Sequence, residues 1–191
     1  METKMSKRKA NVSASERSAQ SARRARGDPW RMPWDEWLIG LCYWVAKRSH
    51  DVATQHGAVL VDSSHRVLGL GYNGYPRGCM DADMPTDRPE KYGYIVHAEA
   101  NCLLNSNAPW LHGCNIGNAV GFDRSTLGGI LMMYITGFPC LQCFCLMMQC
   151  GVRRVVYGNV ESECISDADR RAVERLAKDR NIALIAYVRQ P

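Results

Sequence analysis

The sequence predicts an α/β fold, a β-sheet covered by helices on both faces. Three observations predict it. Apolar runs of strand length alternate with segments whose apolar residues recur every three or four positions. Short Gly-, Pro-, Ser- and Asn-rich stretches separate them. The 191 residues, 46% of them apolar, suit one domain with one core and a small appendage.

The elements follow in order. Trp34, Trp37, Leu38, Leu41, Cys42 and Val45 recur at helical spacing, which predicts an amphipathic helix over residues 33–48, with Pro33 in its first turn. Residues 57–62 and 66–71 read as two strands, with Ser63-Ser64-His65 as the hairpin turn. Residues 72–96 are rich in Gly, Pro and Asp and predict a long structured loop. A helix is expected over 97–105, then an irregular Gly- and Asn-rich segment over 106–128. The continuous apolar run 130–136 predicts a strand buried on both faces. A helix over 140–150 should end at Gly151, and a strand is expected over 153–157. Ala168, Ala172, Val173, Leu176 and Ala177 share one face of a predicted helix over 167–178, and residues 182–188 form the last strand.

Residues 1–28 differ from the rest. They carry eight basic and three acidic residues, the whole of the net charge of +5, and almost no large apolar side chain. Such a segment buries too little to offset the entropy of ordering it, so a disordered basic tail is expected over 1–28 and the folded domain over 29–191. The charge-balanced body lacks the basic surface of a protein that tracks a phosphate backbone, which argues against nucleic acid as partner. No apolar run approaches the roughly 20 residues that span a bilayer, and the N-terminus has no signal-like apolar stretch. A cytoplasmic protein is expected. In a reducing compartment its nine cysteines stay thiols, and clustered ones point to metal or catalysis.

Two motifs carry chemistry. Pro139-Cys140-Leu141-Gln142-Cys143 puts two sulfurs at a helix start, where the N-terminal dipole favours thiolates. His97-Ala98-Glu99 puts a nitrogen ligand at the start of another helix. His97, Cys140 and Cys143 make three ligands for Zn2+, leaving the fourth position open to water, the catalytic pattern. Zinc lowers the pKa of such a water from about 15.7 toward about 7. Glu99, two residues beyond His97, is placed to move protons as a general acid–base. The competing reading is a closed structural site with Cys145 or Cys150 as fourth ligand. The pairing of His-x-Glu with Pro-Cys-x-x-Cys is the signature of zinc nucleobase deaminases.

From about Trp34 to Val188 the sequence resembles the deoxycytidylate (dCMP) deaminase family, within the cytidine deaminase-like superfamily. Arg48-Ser49-His50-Asp51, Gly57-Ala58-Val59, Gly71-Tyr72-Asn73-Gly74-Tyr75-Pro76-Arg77-Gly78, His97-Ala98-Glu99-Ala100-Asn101 and Gly151-Val152 carry the likeness. The resemblance implies a three-layer α/β/α fold on a mixed five-stranded sheet. It implies hydrolytic deamination of a free pyrimidine deoxynucleotide, dCMP to dUMP and ammonia. Asn73 then meets the sugar hydroxyl, Arg48 and Ser49 lie near the 5′-phosphate, and the backbone of Ala98 meets the pyrimidine. Gly71, Tyr72, Asn73, Gly74, Tyr75, Pro76 and Arg77 match a loop that binds regulatory dCTP or dTTP, usually with Mg2+. A homo-oligomer is implied, with a hexamer favoured. The zinc motif also permits a polynucleotide deaminase of the tRNA adenosine type, or an enzyme for dCTP or a 5-substituted dCMP.

Two departures stand out. His56 replaces the usual Val before Gly-Ala, either as a polar residue at a strand edge or as a contact to substrate or phosphate. The 106–128 segment is longer than usual. The methionines at 132, 133, 147 and 148 read as core, and Trp34, Trp37 and Trp44 as core or subunit packing. His50, His65 and His112 are expected on the surface or in loops, and Cys79 and Cys114 lack the spacing of a second zinc site.

Overall fold

A computed structural model describes residues 31–106, 130–160 and 165–188. The tail 1–28, most of the 106–128 segment, His112 and Cys114 lie outside the described residues.

Five strands form one sheet in the order β2-β1-β3-β4-β5. They are β1 (Gly57–Val61), β2 (Val67–Tyr72), β3 (Leu131–Gly137), β4 (Val152–Val160) and β5 (Ala183–Ala186). β1 runs antiparallel to both β2 and β3, whereas β3, β4 and β5 run parallel, so the sheet is mixed. Parallel neighbours need crossovers. Helices α3 (Leu141–Gln149) and α4 (Asp167–Asp179) supply them, joining β3 to β4 and β4 to β5. The other helices are α1 (Trp34–Ala46) and α2 (Ala98–Leu104).

Alternation along the strands builds two cores. Val59, Val61, Met132, Tyr134 and Val156 face α1 and pack on Leu38, Ile39 and Cys42. Ala58, Leu60, Met133, Ile135 and Val155 face the other way, onto α2, α3 and α4. The result is the expected three-layer α/β/α arrangement. Every residue of β1 and β3 is buried, as the unbroken apolar runs require. Gly151, at φ +84°, ends α3 in the left-handed conformation that glycine adopts without a Cβ penalty.

Of the two readings of the α1 tryptophans, core packing is overturned, and α4 buries less than its whole apolar face. Trp34, Trp37 and Trp44 form an exposed stripe on α1, with Trp44 70% exposed. α1 has two apolar faces, and the sheet takes the one bearing the smaller side chains Leu38, Ile39, Cys42 and Ala46. Trp34 instead stacks on His65 at 4.5 Å and meets Trp37 edge-on. In α4 only Val173 and Ala177 are fully buried, while Ala168 in the first turn is exposed. Met132, Met133 and Met147 are core residues, as expected.

α2 is seated tightly on β2. A side chain at Gly71 would bring its Cβ to 2.2 Å from the backbone nitrogen of Cys102 and 2.3 Å from the carbonyl of Ala98. Asn101 and Asn105, one turn apart, donate from their amides to the carbonyls of Tyr72 and Leu70. This seating fixes where α2 begins, and so where His97 and Glu99 stand.

Candidate active site

α2 and α3 both begin at one end of β3, and each begins with an extended residue. His97 is the N-cap of α2 and Cys140 the N-cap of α3. The His97 side chain does not cap its own helix, so its imidazole is available to the second helix. The Cys140 Sγ accepts from the Cys143 backbone N–H at 3.4 Å, an interaction that favours a thiolate.

His97 Nδ1 lies 3.4 Å from the Sγ of Cys140 and 3.4 Å from that of Cys143. Tetrahedral zinc, with bonds of about 2.0 Å to nitrogen and 2.3 Å to sulfur, separates such donors by about 3.5 Å. The donor set and its spacing therefore fit zinc. Neither Cys145 nor Cys150 joins the group; only His97, Cys140 and Cys143 converge, among the described residues. Three donors leave a fourth position for a small molecule.

The electrostatics place negative charge on Cys140, beside the other two donors. The Cys143 thiol and His97 beside it hold Cys140 well below the ordinary thiol range. The same proximity to Cys140, together with burial, pushes the Cys143 thiol up. Hydrogen bonding to Cys140 raises His97. Burial raises the carboxyl of Glu99, only 8% exposed in the first turn of α2.

His97, Glu99 and Cys140 border a cavity of about 390 Å³, within the range of roughly 300–1,000 Å³ usual for small-molecule sites. His97, Ala98, Glu99 and Cys140 line one part of it, and Asp51, Thr54, His56, Asn73, Arg88 and Lys91 another. Phe138, held edge-on by Tyr157 with Arg170 over its ring, and Asp169 also border it.

The predicted substrate residues fall into two groups. His56, Asn73 and Ala98 line the cavity. Asn73 is buried, its Oδ1 accepting from the His56 backbone N–H at 2.8 Å and its Nδ2 donating to the Thr54 carbonyl. Arg48 and Ser49 do not line it, because they belong to the turn that closes α1. Arg48 is exposed, and Ser49 is buried, donating to the Asn73 carbonyl at 2.7 Å. Two cations that sequence reasoning missed, Arg88 and Lys91, stand at the cavity instead. Lys91 is 3% exposed and pairs with Asp51 at 2.7 Å. That pair spans forty positions of chain, from the segment after α1 to a short 3-10 helix over Glu90–Gly93, so no local signal announced it.

Of residues 71–77, only Asn73 lines the cavity. Gly71 packs on α2, and Gly74 bridges to Val96. Tyr72 offers its carbonyl to Asn101, and Arg77 donates to Asn105. Tyr75 donates to the Pro85 carbonyl and stacks on His50, while Pro76 is exposed. His50 and His65 are thus ring-stacked loop residues.

Three convergent donors at the wall of an open cavity, with a buried carboxylate beside them, are the arrangement of a metal-dependent hydrolase. Comparison with known proteins makes the class specific. Residues 32–159 match the family described as the cytidine and deoxycytidylate deaminase zinc-binding region, and the chain belongs to that family of zinc-dependent deaminases. The deoxycytidylate deaminase of Pongo abelii is 32% identical over 154 residues, 78% of this chain and 75% of its own length. The Homo sapiens deoxycytidylate deaminase is 32% identical over 151 residues, 76% and 74% of the two chains. The crystal structure of dCMP deaminase from the cyanophage S-TIM5, in complex with dCMP and dUMP, shares the fold with a TM-score of 0.54 at 19% identity. That match covers 82% of this chain and all of the other. No helix among the described residues is long and apolar enough to cross a membrane.

Proposed function

We propose that this chain converts dCMP and water to dUMP and ammonia. One observation carries the reading: a zinc-type donor set and a buried carboxylate stand at a cavity that Arg88 and the Lys91–Asp51 ion pair also line. Such a cavity suits a small molecule with a reactive ring at one end and an anion at the other.

His97, Cys140 and Cys143 hold the metal. Zinc bound there supplies a Lewis acid that makes water ionise near neutral pH. Glu99, in the first turn of α2, takes the proton of the attacking water. It delivers that proton to N3 of the cytosine ring, then takes the remaining proton of the hydroxyl now on C4 and passes it to the amine as the C4–N bond breaks and the C4 carbonyl forms, so the same carboxylate acts as base and as acid in turn. Ala98 sits against the ring, Arg88 and Lys91 attract the 5′-phosphate, and Asn73 holds the loop that shapes the sugar end. The burial of Glu99 keeps bulk water from competing for its proton.

The same reading extends to regulation and assembly. The likeness of residues 71–77 to an effector loop supports dCTP or dTTP, with Mg2+, as regulators. The exposed Trp34, Trp37 and Trp44 stripe supports assembly into a homo-oligomer, and the family resemblance favours a hexamer.

The test is ammonia release by zinc-loaded protein across dCMP, dCTP, 5-substituted dCMP, single-stranded DNA and tRNA, with loss of the cytosine absorbance band as the second readout for the free nucleotides. The expected result is turnover of dCMP above all others. Turnover of polynucleotides alone overturns the proposal.

A further inference from the structure

His56 is among the polar side chains that line the cavity and that the chemistry above does not use. His56 stands immediately before β1, and its backbone N–H is tied to Asn73 Oδ1. Its ring is half-buried and lines the cavity with His97, Glu99 and Asn73. Its Nδ1 lies 3.1 Å from the Oγ1 of Thr136. Thr136 is wholly buried near the end of β3, and its Oγ1 also accepts from the Gly57 backbone N–H at 3.2 Å.

These contacts decide which ring nitrogen carries the proton. A hydroxyl has one hydrogen to give. If Nδ1 were protonated, it would donate to Oγ1, and the Thr136 hydrogen would have no acceptor among the described residues. Folded proteins avoid a buried donor of that kind. If Nδ1 is bare, every group is satisfied in series: Gly57 N–H donates to Oγ1, and the Thr136 hydroxyl donates to Nδ1. The proton of neutral His56 is then on Nε2. Nε2 has no partner among the described residues, and the ring borders the cavity. Burial and the neighbouring His97 both hold His56 below its usual pKa, against a smaller pull from Asp51, which favours the neutral ring.

We propose that His56 is a specificity-determining residue, its imidazole locked by Thr136 as the Nε2–H tautomer and offering a neutral hydrogen-bond donor to an uncharged oxygen on the nucleoside part of the substrate. This assignment rests on the deaminase reading and deepens it. The partner is a neutral oxygen because the neutral ring offers a single uncharged donor, whereas the cation Arg88 also stands at the cavity and suits an anion better. A pyrimidine nucleoside offers two kinds, a sugar hydroxyl and the ring carbonyl. Asn73, next to His56, has both ends of its amide engaged in holding residues 54 and 56.

The experiment uses the zinc-loaded full-length chain. His56→Val should raise KM for dCMP about tenfold, the worth of one hydrogen bond of about 1.4 kcal/mol, with kcat changed less than about threefold. His56→Gln, which keeps a donor, should recover most of that loss. Repeating the comparison with the 2′,3′-dideoxy nucleotide separates the two oxygens. The Val effect disappears if the partner is the sugar hydroxyl and persists if it is the ring carbonyl; either result supports the assignment. Long-range ¹H–¹⁵N spectra should show neutral His56 as the Nε2–H form near pH 7, and Thr136→Val should dissolve that preference. Turnover with unchanged KM in His56→Val, or an Nδ1–H ring, overturns this assignment alone. No deamination of any pyrimidine nucleotide by the unsubstituted chain overturns it together with the deaminase reading.

Discussion

Two polar clusters lie on opposite faces of the sheet. On the α1 face, Arg154 donates to both carboxylate oxygens of Asp35 at 2.9 and 2.8 Å. Tyr134 donates to the same carboxylate at 2.6 Å and accepts from Arg154 at 2.7 Å. The three side chains close a ring. Arg154 holds the Asp35 carboxyl below its usual range, while burial and Asp35 together raise the Tyr134 hydroxyl. On the side of the sheet that α2 covers, His97, Glu99 and His56 border open space instead, with the Lys91–Asp51 pair at its edge. The contrast teaches that a polar cluster whose groups satisfy one another contributes to the fold. One whose groups meet at a cavity retains capacity for a ligand, and its burial is a cost carried by the surrounding core.

The contrast can be broken at several points, beginning with the metal donors. Cys143→Ala should lower zinc affinity by more than about 100-fold, since even supporting residues of metal sites are worth about 10–100-fold. Metal content per chain measured after dialysis, together with loss of turnover, checks this. Glu99→Gln should keep zinc but reduce kcat by about 10³-fold, the middle of the range for a general acid–base. A zinc-loaded Glu99→Gln enzyme of normal kcat would remove Glu99 from the mechanism.

Lys91→Met tests the cavity cluster differently. It leaves Asp51 buried without its cation and should cost about 3–5 kcal/mol in denaturant unfolding. It should also raise KM for dCMP. On the closed ring, Asp35→Asn should cost only about 1 kcal/mol, because the pair is partly exposed, and leave kcat/KM unchanged.

Acid gives the smallest effect. The carboxyls of Asp35 and Asp51 are held below their usual value in the folded chain. A depressed carboxyl stabilises above its unfolded pKa of about 3.9, and that contribution is lost as pH falls toward the folded value. Melting temperature should therefore fall below about pH 4, and Asp35→Asn should show less of this fall than the unsubstituted chain. Equal slopes would mean that the ring adds nothing to acid stability.

Much of the site was legible because its signals are short. Cys140 and Cys143 sit on one helical turn, so their common aim follows from a spacing of three. His97 and Glu99 are likewise a local pair. The buried strand 130–136 was legible from its unbroken apolar run, and the end of α3 from Gly151. Other features had no local signature. Two apolar stripes on α1 look alike in sequence, and only contact with β1 and β3 showed which faces the core. Arg48 and Ser49 drew attention by resemblance, yet the turn after α1 carries them off the cavity and the later loop delivers Arg88 and Lys91.

By itself, then, the sequence determined the ligand types, their pairing on helix starts and the α/β order of elements, because each depends on neighbours a turn or a strand apart. The tertiary structure alone decided that His97 meets cysteines more than forty positions away, that Lys91 closes on Asp51, and that Thr136 reaches His56 across eighty. Those meetings depend on the register of β1 against β3 and on the seat of α2 over Gly71. Register is a property of the whole packed sheet, and no local window of the chain contains it.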